Sequence, residues 1–265
     1  MLERNKISNK TMQCDRALII LLQQINFERG NNKEPYFTLS WEDIDMLFYS
    51  MLNDMVDVFS GLVHVDLFLS GKSEEYQDGS LLSSNRKITL LDISATSLNE
   101  HIAASIDAVF EQGYRKLILL LHYYPLYTIK FIDDVFAQLS FEDDCLVYGA
   151  LRSGNCCLLG LKTNYSNWFR NKNKENNLSS FKESGLDTDY LLREASNSDV
   201  IVFPVPTLKS VENGYDIVRL KNEIVHSINV NSQFAKHTYE AFKYIEKKYT
   251  RRKPKDEAWD IRRHI

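Results

Sequence analysis

Few residue types in this 265-residue chain stand at spacings that do chemistry by themselves. Gly149-Ala-Leu-Arg-Ser-Gly154 has the glycine spacing of a phosphate-cradling loop. Such a loop needs Lys and then Ser or Thr after its second glycine, and it must open a helix. Asn155-Cys156 follow instead, and they lead into an apolar, strand-like run, so that reading fails. G-x-G-x-x-G, H-E-x-x-H and H-x-H are absent, which removes the dinucleotide fingerprint and the commonest helical zinc pattern. His122 directly follows the apolar run 117–121. The carboxyl end of a buried strand is where open α/β sheets bind ligands, although a lone histidine there is more often simply packed. Asp133-Asp134 and Asp143-Asp144 read as solvated charge, because a hard cation needs converging carboxylates and neither pair falls at a strand's carboxyl end. Cys156-Cys157 are strand neighbours that point to opposite faces, so they read as small buried hydrophobes.

The elements that must position these residues follow from hydrophobic periodicity. Continuous apolar runs at 17–22 and 117–121 suit strands buried on both faces, and 145–148, 156–161 and 200–203 read as further strands. The run 62–69 adds a strand with polar His64 and Asp66 alternating, and 88–93 adds another. Ser40 opens a helix whose apolar residues from Ile44 to Phe59 recur at helical spacing, with Gly61 as a left-handed end. Ser97 and Glu100 form a capping box before a helix carrying Leu98, Ile102, Ile106, Val109 and Phe110, and Gly113 closes it. Thr128 caps a third helix. Further helices are predicted over 186–195, 215–224 and 233–249. The Asn-, Lys- and Ser-rich stretch 164–184 reads as a polar surface loop. Strands alternating with helices imply βαβ units and a mainly parallel sheet covered on both faces.

Composition narrows the classes. Lys+Arg 32 against Asp+Glu 36 leaves a net charge of −4, so no global pull toward nucleic acid or an anionic membrane is expected. Only 10 glycines leave little room for Gly-rich phosphate loops. Four cysteines without a C-x-x-C imply neither a disulfide framework nor a zinc knuckle. No apolar run is long enough to span a bilayer, and residues 1–16 carry no signal-peptide pattern, so a cytoplasmic location is expected. The tail is basic at Lys247, Lys248, Arg251, Arg252, Lys253, Lys255, Arg262 and Arg263, with acidic residues between, and reads as a peripheral, solvated terminus.

In order and spacing, four blocks resemble the bacterial glycosyltransferase-like proteins of the nucleotide-diphospho-sugar transferase (GT-A) fold. Leu98–Ile106 is similar to the family's L-G-E-R-M-A-x-A-F helix, and Leu117–Thr128 to its V-L-I-G-S-D-x-P-x-L-T strand and turn. Gly149–Leu161 is similar to G-P-A-x-D-G-G-Y-Y-L-I-G-L, and Ser210–Leu220 to D-V-D-T-x-x-D-L-x-x-L. The resemblance covers about 17–220. It implies an α/β three-layer sandwich with a mixed, mainly parallel sheet, here a domain over 1–225 followed by a C-terminal helical extension over 226–265. The departures bear on activity. The family's turn carboxylate falls on Tyr123, its D-G-G aspartate on Ser153, the second glycine on Asn155 and its helix arginine on His101. Its basic segment after the first strand falls on 23–37, where Arg29 and Lys33 stand without the pattern.

Carboxylates at those places would hold a divalent cation against a diphosphate, and tyrosine and serine are poor substitutes. The expectation is therefore a diverged glycosyltransferase-like protein lacking the metal-dependent site, a pseudoenzyme or binding protein with no cofactor and no metal. The alternatives are an active, metal-independent glycosyl- or nucleotidyl-transferase and a protein–protein interaction module. Candidate substrate-binding residues are His122, Tyr123, Ser153, Asn155, Asp92 and Glu212. The expected partner is a nucleotide-sugar or other small molecule, with no nucleic acid and no membrane span, and a protein could dock through 164–184 or the tail.

Overall fold

The computed structural model describes residues 14–22, 39–72, 88–170, 181–182, 185–230 and 234–251. In chain order the elements are β1 (Arg16–Leu21), α1 (Trp41–Phe59), β2 (Asp66–Gly71), β3 (Ile88–Asp92), α2 (Leu98–Glu111), β4 (Lys116–Leu120) and α3 (Ile129–Gln138). They continue with β5 (Cys145–Ala150), β6 (Cys156–Leu161), α4 (Asn167–Arg170), β7 (Phe181–Lys182), β8 (Gly185–Leu186), α5 (Thr188–Asn197), β9 (Ile201–Pro204), α6 (Gly214–Val230) and α7 (Lys236–Arg251).

Seven strands form one sheet in the order β3-β2-β1-β4-β6-β5-β9. β1 pairs in parallel with β2 and β4, β2 with β3, and β5 with β9, while β6 runs antiparallel to both its neighbours. The sheet is therefore mixed and mainly parallel, as the apolar runs imply. The runs of β1, β4, β5 and β6 are apolar because both faces are covered there, whereas edge strand β9 is only partly covered, with Ile201 39% exposed. On β4, Ile118 and Leu120 join the core under α1, α3, α6 and α7, whereas Leu117 and Leu119 join the core under α2, α4 and α5. Three layers result.

The predicted caps form. Ser40, Ser97 and Thr128 side chains accept from the backbone N–H groups of Asp43, Glu100 and Phe131. Four expectations are corrected. The strand predicted from Leu62 starts only at Asp66, because the chain must first turn out of α1, and His64 there takes the left-handed region (φ 59°) instead of Gly61. The stretch 164–184 is not simply a polar surface loop: Trp168 and Phe169 of α4 are buried, and α4 is tied to α2 through Arg170 and Asp107. The predicted helix 215–224 is 17 residues long, because its apolar face continues to Ile228. Asp144 is no solvated charge but an acceptor for the Tyr165 hydroxyl.

The boundary at 225/226 falls inside α6. The following α7 lies antiparallel to α1 and is bonded to it at both ends. Asp54 of α1 accepts from the backbone N–H groups of His237 (2.9 Å) and Thr238 (2.8 Å) and from the Thr238 hydroxyl (2.5 Å). It caps the start of α7 from a neighbouring helix, where a carboxylate also meets the positive end of the helix dipole. Asp43 accepts from Ser40 Oγ (2.6 Å), Lys248 Nζ (2.7 Å) and the Tyr249 hydroxyl (2.7 Å) at the other end. The tail beyond residue 251 and the basic segment 23–37 lie outside the described residues.

Candidate functional site

The chain runs outward from β1 through β2 to β3, then returns to the opposite side of β1 as β4. The carboxyl ends of β1 and β4 thus flank the point where strand order reverses, and such points open a crevice for ligands. Three segments meet there. The first is His122-Tyr123-Tyr124 after β4. The second is the β5–β6 hairpin, beside β4 because the Leu121 N–H donates to the Cys157 carbonyl (2.9 Å). The third is 205–216, laid along the end of β5 by bonds from Val205 N to Tyr148 O and from Leu208 N to Ala150 O, both 2.9 Å. Gly149 permits that approach, since a Cβ on it would stand 2.5 Å from Leu208 Cδ1.

His122 is half-buried, and burial pushes its imidazole down to about 4. The ring is neutral near pH 7, and neither nitrogen has a hydrogen-bond partner among the described residues. Tyr123 is only 8% exposed and meets Phe48 of α1 edge-on, with centroids 6.1 Å apart, so its ring belongs to the core. Tyr124 donates its hydroxyl to Glu223, which also accepts from Lys209 Nζ (2.6 Å). Burial raises the Glu223 carboxyl, and the bonds from Lys209 and Tyr124 more than offset this, leaving it lowered.

The hairpin turns at Gly154, whose φ of 86° suits glycine. Ser153 Oγ donates to Glu212 Oε1 (2.7 Å), and the Glu212 N–H donates to Asp216 Oδ2 (3.0 Å). Asn155 is 1% exposed and bridges to Asp187, while the Thr188 N–H donates to the Gly154 carbonyl (3.1 Å). The hairpin is thereby pinned to the start of α5.

The structure therefore links Ser153 to Glu212 and to the Asn155 N–H (3.5 Å), while His122 and Tyr123 follow β4, the strand paired with the hairpin's β6. Asp92 stands apart, exposed at the end of edge strand β3 opposite Gly71. Three strand spacings separate β3 from β4, about 14 Å. Of the carboxylates among the candidates, only Glu212 lies at the hairpin, and it is engaged by a serine hydroxyl. Tyr123, whose place the resemblance gives to a carboxylate, is packed into the core.

Two clusters escaped the candidate set. Ser70, buried in β2, lies 3.0 Å from His101 Nε2 and 2.8 Å from Ser105 Oγ on α2. A lone serine in the run DLFLSG and the i, i+4 pair His101/Ser105 on a helix's inner face were its sequence signal. The second cluster is Asp54, Asp57 and His237, whose ligand-type atoms lie within 4.8 Å of one another. Asp54 spends both oxygens on capping α7, and His237 Nε2 lies 2.9 Å from Asp57, so the cluster is a helix joint.

The fold and this strand-end geometry define the class: the chain has the nucleotide-diphospho-sugar transferase fold. Among solved structures it is similar to a protein of Desulfovibrio desulfuricans provisionally described as a nucleotide-diphospho-sugar transferase. That match has a TM-score of 0.66 at 15% identity, covering 88% of this chain and 95% of the other. It is also similar to the 4-diphosphocytidyl-2C-methyl-D-erythritol synthase of Anaerococcus prevotii, with a TM-score of 0.51 at 9% identity, covering 79% and 95%. At such identities the likeness establishes the fold. No family model and no curated protein matches the sequence. No helix among the described residues is long and apolar enough to cross a membrane.

Proposed function

We propose that this protein is a diverged member of the transferase fold that binds a nucleotide or nucleotide-sugar at the carboxyl ends of β1 and β4 without a divalent metal. The supporting observation is His122. A neutral imidazole follows β4 at the strand-order reversal, and neither nitrogen has a partner among the described residues, so a hydrogen bond to ligand costs none of the bonds described. The other candidate side chains at these strand ends favour neutral recognition. Ser153 is a hydroxyl committed to Glu212, and Tyr123 turns its ring into the core. A hard dication prefers several oxygen ligands, usually with carboxylates among them. Without metal or an added cation the diphosphate would gain little here, and affinity would rest on hydrogen bonds to the sugar or base.

Calorimetric titration with cytidine 5′-triphosphate and UDP-glucose, each with and without Mn²⁺, tests this reading. Weak binding unchanged by Mn²⁺ and reduced by His122→Ala is the expected result. Tight binding that requires Mn²⁺ and survives His122→Ala would overturn it. Product analysis in the same mixtures separates a binding protein, which leaves the donor intact, from a metal-independent transferase, which consumes it.

A further inference from the structure

The Ser70, His101 and Ser105 side chains form a circuit in which proton counting fixes every donor. Ser105 Oγ lies 2.7 Å from the His101 carbonyl, one helical turn back. A carbonyl oxygen only accepts, so the single Ser105 proton goes there. Ser105 must then accept across the 2.8 Å contact with Ser70, which uses the single Ser70 proton. Ser70 has no proton left for the ring 3.0 Å away, so His101 Nε2 carries the hydrogen and donates. Burial pushes the imidazole down to about 4, so the second nitrogen, Nδ1, is bare near neutral pH.

We propose that this circuit locks His101 in its neutral Nε2–H tautomer and makes Nδ1 a dedicated acceptor for an N–H or O–H donor of the bound ligand. Its place supports this. Ser70 is the last residue but one of β2 and pairs with Leu21 at the carboxyl end of β1, and His101 lies in the first turn of α2 at that same end of the sheet. The His101 side chain is half-buried, and no bond to Nδ1 is made among the described residues. An imidazole so fixed cannot neutralise a phosphate, but it distinguishes a donor group from an acceptor at one position. Ser70 and Ser105 are positioning residues, because they act through the ring. The ligand part rests on the function proposed above.

Long-range ¹H–¹⁵N correlation spectra of ¹⁵N-histidine-labelled protein read the tautomer without any ligand. The expected spectrum shows His101 Nε2 protonated and Nδ1 bare from pH 8 to 5. The reverse tautomer, or titration at an ordinary histidine value, overturns the proposal. Ser70→Ala combined with Ser105→Ala should turn the single tautomer into a mixture while the chain stays folded. In titrations with cytidine 5′-triphosphate and UDP-glucose, Nδ1 should shift on saturation with the probe that binds. His101→Leu should then weaken binding about three- to tenfold, the range of one neutral hydrogen bond. Binding with Nδ1 unmoved and His101→Leu neutral overturns the ligand part alone. Failure of both probes to bind overturns the function reading and the ligand part with it, while the spectra still decide the tautomer.

Discussion

The seam between α1 and α7 and the crevice at the strand ends treat polar groups in opposite ways. In the seam, Asp43 and Asp54 are 1% and 3% exposed, and each carboxylate accepts from three donors. Among the described residues, His122 in the crevice is half-buried with neither nitrogen bonded, and His101, against the end of β2, has one nitrogen bonded and one not. Buried polar groups in a frame are normally satisfied, because an unpaired one costs about 1–3 kcal/mol. Unused capacity therefore separates groups that hold the molecule together from groups open to a ligand. Mutation of the two regions should separate them as cleanly.

The largest effect is expected at Asp54. Replacing it by alanine leaves two N–H groups of the first turn of α7 and the buried Thr238 hydroxyl without their acceptor. A lost cap and an orphaned buried hydroxyl together suggest about 3 kcal/mol of destabilisation. Urea unfolding should show it, with Asp54→Asn less affected because one acceptor oxygen remains. A loss below about 1 kcal/mol would mean that α7 is not held to α1 through this joint.

Asp43 should come next, and its effect depends on pH. Burial raises its carboxyl, and bonds from Lys248, Ser40 and Tyr249 outweigh that, so the folded value lies below the ordinary 3.8. A depressed carboxylate stabilises fully above its unfolded value and loses that contribution as pH falls through the folded one. Asp43→Asn should therefore be less stable than the parent at pH 7 by about 1–2 kcal/mol. The gap should narrow on acidification below pH 4. A gap that is constant with pH would place the stabilisation in packing rather than charge.

The contrast between the regions also marks what was legible in the sequence. Strands such as 117–121 and 156–161 could be read because burial on both faces leaves no polar position to interrupt the run. The caps at Ser40, Ser97 and Thr128 could be read because they act within three residues. Asp54 and Thr238 are 184 positions apart, and nothing in either segment announces the other. The helical tail consequently read as an extension, although α7 shares a core with α1. At the strand ends, the position of His122 was legible because it follows an apolar run. The burial of Tyr123 depends on Phe48, which the periodicity of α1 turns inward without naming its contact. The bond between His101 and Ser70 was hidden, because it joins a helix to a strand 31 positions away.

The smallest effect on folding is expected at His122, and it tests the contrast most sharply. Alanine removes an imidazole that makes no hydrogen bond among the described residues, so no donor or acceptor is orphaned. Stability at pH 7 should change by no more than about 1 kcal/mol, set by lost packing of a half-buried ring. Acid should then favour the variant. The parent histidine has a folded value of about 4 against an ordinary 6.5, so the unfolded chain takes up the proton first. Its contribution is complete above 6.5 and declines as pH falls toward 4, a decline that His122→Ala lacks. Thermal unfolding of both proteins at pH 7.5 and pH 5 measures this directly. Equal losses on acidification would mean that the His122 ring is solvated or paired, and the crevice would then lose the open group that distinguishes it from the seam.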